Sequence, residues 1–228
     1  MQHMDTPPPN VVQCIEALRD KAGGMYIITP FYNGVELFVI LWQKKWQFPE
    51  DGFTEGEARS IFIQVVDALI HSKNRGTCYR DVSLENLVVH EGIAKLIDLG
   101  AALHIPQTAD GRARVLPPQG PFGKKEYMSP EMILDKGDFD GVAADVWSLG
   151  VVLYKMVVGI RPFDMGVPSL EEWCKVIAAE EKLGEVVTLL WDMSLSQEVI
   201  DLMQSCLRVD PANRAPLETL RTHRWVTG

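Results

Sequence analysis

Residues 146–158 run Val-Trp-Ser-Leu-Gly-Val-Val-Leu-Tyr-Lys-Met-Val-Val, apolar on nearly every side of a helix. A surface helix keeps one polar face, so a helix apolar all round must be enclosed by its own domain or by lipid. A bilayer span needs about 20 apolar residues. This run is shorter and carries Lys155, so it is expected to be a buried core helix with no membrane partner. The hydrophobic fraction of 46% supplies enough apolar material to surround it. A chain of 228 residues fits one large domain or two small ones.

Helical signals dominate after Asn33-Gly34. Thr54 and Glu57 have the Ser/Thr-x-x-Glu spacing of a capping box, followed by Ala58, Ile61, Phe62, Val65, Val66 and Leu69 at helical period. That helix is expected to stop at the Lys73-Asn74-Arg75-Gly76 turn. Ser169 and Glu172 form a second capping box, opening a helix through Ala179. Helices are also expected over Gln197–Leu207 and Leu217–His223. Strand signals cluster earlier. Val11–Leu18 and Met25–Phe31 flank a turn ending in Gly23-Gly24 and can pair as a hairpin. Leu87–Val89 and Ala94–Ile97 flank Glu91-Gly92 as a smaller one. Pro7-Pro8-Pro9 marks a loop, and Ala101–Gly123 lacks periodicity and is expected to be a long, functional loop.

The net charge of −9 argues against a nucleic-acid polymer as partner, because the chain would repel its phosphates. Cys14, Cys78, Cys174 and Cys206 are scattered. They form neither a zinc cluster nor a disulfide framework, and reduced cysteines in a cytoplasmic protein are the expectation. The stretch Met1-Gln2-His3-Met4-Asp5 has no basic or apolar leader character.

Four motifs stand in order along the chain. They are Tyr79-Arg80-Asp81 with Asn86; Asp98-Leu99-Gly100; Ser129-Pro130-Glu131; and Asp145-Val146-Trp147-Ser148-Leu149-Gly150 followed by Asp210-Pro211-Ala212-Asn213-Arg214. Taken singly each is weak, since Asp-x-Gly alone is most simply a turn. Together they resemble the eukaryotic protein kinase family, serine/threonine type, whose signature is well described. The resemblance implies an α+β, protein-kinase-like fold: a mainly α-helical large lobe with a two-strand remnant of the small-lobe sheet. Residues 1–37 would hold that remnant and the hinge, and residues 38–228 the helical lobe.

By the same resemblance the cofactors are ATP and Mg²⁺, and the partner is a protein substrate with a Ser or Thr acceptor. Phosphoryl transfer needs an aligned acceptor hydroxyl and neutralised phosphate charge. Asp81 matches the catalytic aspartate. Asn86 and Asp98 match the metal ligands, hard oxygen donors of the kind Mg²⁺ prefers. Glu131 and Arg214 match a buried ion pair. Asp145 matches the residue that accepts N–H groups of the catalytic loop, and at a helix start it would also serve as a cap. Thr29 becomes the gatekeeper and Pro30-Phe31-Tyr32 the hinge. Adenine would meet the Pro30 carbonyl and the Tyr32 backbone, with Val88 beneath its ring. Thr108 is the candidate phosphate acceptor of the activation loop, against the plain alternative of a solvated threonine. Tyr127 is expected to pack at the substrate-facing end.

The departures matter as much. Ser83 stands where the family has lysine, and Lys124 where it has threonine. Either Lys124 returns the missing cation to the site, or Lys124 and Lys125 are a solvated basic pair. Tyr79 and Leu99 replace a histidine and a phenylalanine, and both are apolar enough for their packing roles. There is no Gly-x-Gly-x-x-Gly run, no strand with the phosphate-binding lysine and no helix with its glutamate partner. His3–Val12 already resembles the end of that helix and the strand after it. The chain is therefore expected to be a truncated domain, with an uncovered apolar face on its two strands. The alternative function is an inactive pseudokinase or protein-binding regulatory fragment.

Overall fold

The computed structural model describes residues 10–47, 52–106, 115–135, 137–159 and 195–228. The triple proline, most of the His3–Val12 segment, Thr108, Cys174 and the Ser169–Ala179 helix lie outside these residues.

The enclosed helix is the axis of the domain. Helix α4 spans Gly141–Val158, opens on Asp140, whose side chain accepts from the Val142 and Ala143 N–H groups, and ends at Gly159 with φ of 76°. Its start lies before the expected Val146. By length and mean hydropathy, 1.5, it would suffice to cross a membrane. It does not face lipid here: Val146, Trp147, Leu149 and Val151–Val158 are packed inside the protein. Asp145 lies inside this helix, so the expected capping role falls to Asp140 instead.

Against α4 pack α2 (Glu55–Asn74) and α5 (Gln197–Cys206), while α6 (Leu217–Arg221) packs on α2 and α7 (Arg224–Thr227) on α2 and α5, all contributing to one core. Helix α2 carries the expected capping box: Thr54 Oγ1 accepts from Glu57 N–H, and Thr54 N–H donates to Glu57 Oε2 at 2.7 Å. It stops at Arg75, just before Gly76 at φ 68°. Helix α3 spans Pro130–Leu134. Helix α1, Leu37–Gln47, begins with a wholly buried Leu37.

The strands are short. β1 (Glu16–Arg19) and β2 (Met25–Ile28) form the expected antiparallel hairpin, with Glu16 opposite Ile28. The strands are shorter than Val11–Leu18 and Met25–Phe31. Val11 turns instead to a parallel bridge with Leu96, held by Val12 N–H to the Leu96 carbonyl at 2.9 Å and by Asn10 Nδ2 to the Ala94 carbonyl at 2.8 Å. β3 (Val35–Glu36), β5 (Leu87–His90) and β6 (Ile93–Leu96) make a second sheet in the order β3-β5-β6. β4 (Thr77–Cys78) pairs with β7 (Leu103–His104), so the segment expected to be an unbroken loop from Ala101 begins with a strand. Every residue of β1 and β2 is exposed, Met25 by 74%, which bears out the uncovered apolar face.

Glu55, at the head of α2, ties α5 and α7 to it. Its carboxylate accepts from Ser196 N–H and Oγ, both at 2.6 Å, and from Trp225 Nε1 at 2.7 Å. Burial alone would raise its pKa, but these hydrogen bonds and Arg59 bring it below the ordinary 4.5. A depressed carboxylate stabilises the fold above its unfolded pKa, and that contribution disappears as pH falls through the folded value. Glu55→Gln should lower unfolding free energy by about 1–2 kcal/mol at pH 7, the scale of hydrogen bonds to a charged group. The gap to the parent should narrow below pH 4.5, which urea unfolding at the two pH values would measure.

Candidate active site

The site starts from one buried carboxylate. Asp145 on α4 accepts Tyr79 N–H at 2.7 Å and Arg80 N–H at 2.6 Å, on its two oxygens. Burial pushes its pKa up to about 7, against the opposing pull of those N–H groups and the Arg80 guanidinium. The two bonds fix consecutive peptides and hold Arg80 at φ 69°, a left-handed conformation costly for a side chain with a Cβ. The Arg80 guanidinium lies 5.3 Å from the Phe122 ring and 6.0 Å from that of Phe139. Tyr79 is buried.

Beyond that clamp the loop presents Asp81. Asn86 Nδ2 donates to the Asp81 carbonyl at 2.8 Å and to its Oδ2 at 2.7 Å. Lys124 N–H donates to Oδ1 at 3.1 Å. Gly123 makes this approach possible: it sits at φ 98°, and a Cβ there would lie 3.0 Å from both the Arg80 carbonyl and Asp81 Oδ1. The Lys124 ammonium reaches Asp81 Oδ2 at 3.2 Å, Ser83 Oγ at 3.1 Å and Asn86 Oδ1 at 3.1 Å. Lys124 and Ser83 thus meet in one cluster.

Asp98 arrives from the end of the β5–β6 hairpin. Ile97 N–H donates to the Asn86 carbonyl at 2.9 Å, which brings the next residue alongside the loop. Asp98 adopts φ 65° and its Oδ1 accepts Gly100 N–H at 2.9 Å, an Asx turn that supports the left-handed backbone. Among the described residues no group of three His, Cys, Asp or Glu side chains is placed to hold a metal. Any metal here would rest on a few hard oxygens from the chain together with those of a phosphate ligand, which is how Mg²⁺ is usually bound.

Asp98 also lines a groove of about 700 Å³ together with Thr29, Pro30, Phe31, Tyr32 and Val88. The five residues assigned to hinge, gatekeeper and ring contact therefore share one cavity. Val12, Met25, Ile27, Ile97, Leu99 and Gly100 complete its lining. No motif marked Val12, Met25 or Ile27, which reach the groove only through the bend at Val11 and the hairpin. Gly34 allows the hinge to close on β5, since a Cβ there would meet Val88 Cγ1 at 2.5 Å and the Val89 carbonyl oxygen at 2.7 Å. The Tyr32 carbonyl already accepts Gly34 N–H at 2.9 Å.

A family model described as protein kinase domain matches residues 1–226. The chain belongs to the serine/threonine protein kinase family. It is 37% identical over 219 residues to CBL-interacting serine/threonine-protein kinase 9 of Arabidopsis thaliana, covering 95% of this chain and 44% of that protein. It is 30% identical over 219 residues to CBL-interacting protein kinase 21 of Oryza sativa subsp. japonica, covering 95% and 38%. It is 30% identical over 225 residues to the probable serine/threonine-protein kinase MARK-B of Dictyostelium discoideum, covering 95% and 28%. The chain thus spans less than half the length of these relatives.

Other parts of the kinase resemblance take their places around the site. Arg214 makes a two-pronged pair with Glu131 at 2.6 and 2.7 Å and also donates to the carbonyls of Ala143, Arg208 and Val209. A buried guanidinium satisfied this completely fixes the position of α3 against α4. Tyr127 is buried, and Lys155 Nζ lies 2.5 Å from its hydroxyl and 3.0 Å from Glu126 Oε1.

The Asp145 clamp makes a graded prediction. Asp145→Ala leaves two N–H donors without their acceptor and should lower unfolding free energy by about 2–5 kcal/mol. Asp145→Asn retains one acceptor oxygen and should cost less. Chemical unfolding of both variants at one pH checks the order.

Proposed function

We propose that this kinase-family chain carries out ATP- and Mg²⁺-dependent phosphoryl transfer to serine or threonine hydroxyls of a protein substrate. The observation that carries the reading is the Asp81 carboxylate, held by Asn86 and Lys124 beside a groove whose wall includes Asp98. An ionised carboxylate offers about four lone-pair positions. Three on Asp81 are engaged by Asn86 Nδ2, Lys124 N–H and Lys124 Nζ. The remaining one is on Oδ1. That oxygen would accept the substrate hydroxyl, orient it, and take its proton as the new O–P bond forms and the bond from the γ-phosphorus to the bridging oxygen breaks, releasing ADP.

The groove suits a nucleotide. Its volume lies in the range of ligand sites, and its lining is mainly apolar. Thr29 and the Pro30–Tyr32 backbone would meet the adenine edge, with Val88 against its face. With the Tyr32 carbonyl engaged by Gly34, the Tyr32 N–H and the Pro30 carbonyl are the groups assigned to the base. When bound, ATP supplies the phosphoryl group and Mg²⁺ neutralises its charge. Asp98 is the chain's own oxygen donor toward that metal, while the Asn86 oxygen, matched to the same role, already accepts from the Lys124 ammonium.

Neither the Gly-rich run nor the paired lysine stands in these 228 residues, so the groove is read without them. The reading includes a cytoplasmic location, in keeping with free Cys14, Cys78 and Cys206. A second reading, a protein-binding regulatory fragment, draws support from the exposed β1–β2 hairpin, with Phe31 beside it 90% exposed.

Incubating the chain with labelled ATP, Mg²⁺ and a generic protein substrate separates the two. Incorporation should fall about 100-fold or more in Asp81→Asn, the scale of a lost general base. Equal background labelling in parent and variant would replace the enzyme by the binding module.

A further inference from the structure

Lys124 is bonded in a way that reaches past its own charge. An ammonium has three donors and no acceptor. All three have oxygen partners, on Asp81, Ser83 and Asn86, at 3.1–3.2 Å. The orientation of the Asn86 amide follows from its neighbours. Its nitrogen faces two Asp81 oxygens at 2.7 and 2.8 Å, and its oxygen faces the ammonium. Turning the amide over would set its oxygen against two acceptors and its NH₂ against a cation. The Asn86 oxygen is therefore committed to Lys124.

That oxygen is the one assigned to a metal. A Mg²⁺ ion binds oxygen at about 2.0–2.1 Å and demands a near-octahedral set of ligands. An ammonium on the same oxygen is a like charge in the space such an ion would need. Ser83 contributes to the arrangement because a hydroxyl can accept from Lys124, whereas a lysine at that position would repel it. Asp98 belongs to a different wall, and its Oδ1 accepts the neutral Gly100 N–H within its turn.

Resting on the phosphoryl-transfer reading, we propose that the Lys124 ammonium is the resident cation of the Asn86 oxygen. Divalent metal is then held through Asp98 alone, and the chain takes one metal ion where an open Asn86 would allow two. Lys124 acts as a positioning residue: it supplies fixed positive charge beside Asp81 without a second metal.

Counting bound Mn²⁺ by electron paramagnetic resonance tests this, with a non-hydrolysable ATP analogue present and absent. The parent should bind one Mn²⁺, lost in Asp98→Asn and retained in Asn86→Ala. Lys124→Met, similar in length but uncharged, should bind two, and the Lys124→Met, Asn86→Ala double variant one. A lysine with only a structural role would change thermal stability and leave these counts alone. Equal counts in parent and Lys124→Met with the analogue bound, zero included, overturn the proposal. So does loss of the parent's Mn²⁺ in Asn86→Ala, a measurement that holds even if Lys124→Met does not fold. Failure of every form to bind the analogue would instead overturn the phosphoryl-transfer reading, and the one-metal proposal that rests on it falls with it.

Discussion

The site depends on a carboxylate that solvent barely reaches. Asp145 binds the consecutive N–H groups of Tyr79 and Arg80, and through them sets the direction in which the loop leaves the core. Two buried donors without an acceptor would each be costly, so the loop cannot depart from this path without a large penalty. The left-handed Arg80 backbone is a consequence. It is retained because the bonds to α4 outweigh the local strain. Helix α4 thus works as both core and template: its apolar surface gathers α2 and α5, while its one buried acid positions the chemistry.

From that fixed point, polar groups are added in pairs that satisfy each other. Asn86 closes the loop onto Asp81, Lys124 closes the neighbouring segment onto both, and Gly123 allows the close approach. Moving a cation from position 83 to position 124 changes how charge is supplied. A lysine within the loop would move only with the loop. A lysine on the segment before α3 couples the loop to that segment, so the order of one depends on the order of the other. Glu131 and Arg214 then anchor the same segment to the core beyond the site.

The helical half was legible because its signals are local and physically forced. The capping box at Thr54 and Glu57 and the all-round apolar run needed no knowledge of distant partners. Asp81, Asn86 and Asp98 stand out by the order of their motifs, and Lys124 by its pairing with the departure at Ser83. What was illegible depends on tertiary contacts. Val11 alternates well enough to read as strand, yet it leaves the hairpin because Leu96 offers its carbonyl and Asn10 finds the Ala94 carbonyl. Leu103 and His104 lack periodicity and become strand only through Thr77 and Cys78. Asp145 looked like a helix cap because apolar character begins after it, but the backbone turns helical earlier, at an Asp140 that the hydrophobic pattern does not mark.

The two sides of the site consequently differ in how firmly they are held. Asp81, Ser83 and Asn86 sit on the core through α4 and through Leu84 and Leu87, both wholly buried. The wall contributed by Met25 and Ile27 belongs to a two-stranded sheet with no buried residue. An isolated hairpin is marginal in water, and regions with few buried contacts open at small free-energy cost. Local opening will therefore reach the hairpin wall of the groove well before it reaches the loop that carries Asp81. A ligand lying between the two would bridge a rigid surface and a soft one. Part of its binding energy would then go into ordering the hairpin, and affinity would depend on whatever else covers that exposed apolar face. The cluster around Asp81 is preorganised by the core, whereas the facing wall of the groove rests on an element with no buried residue.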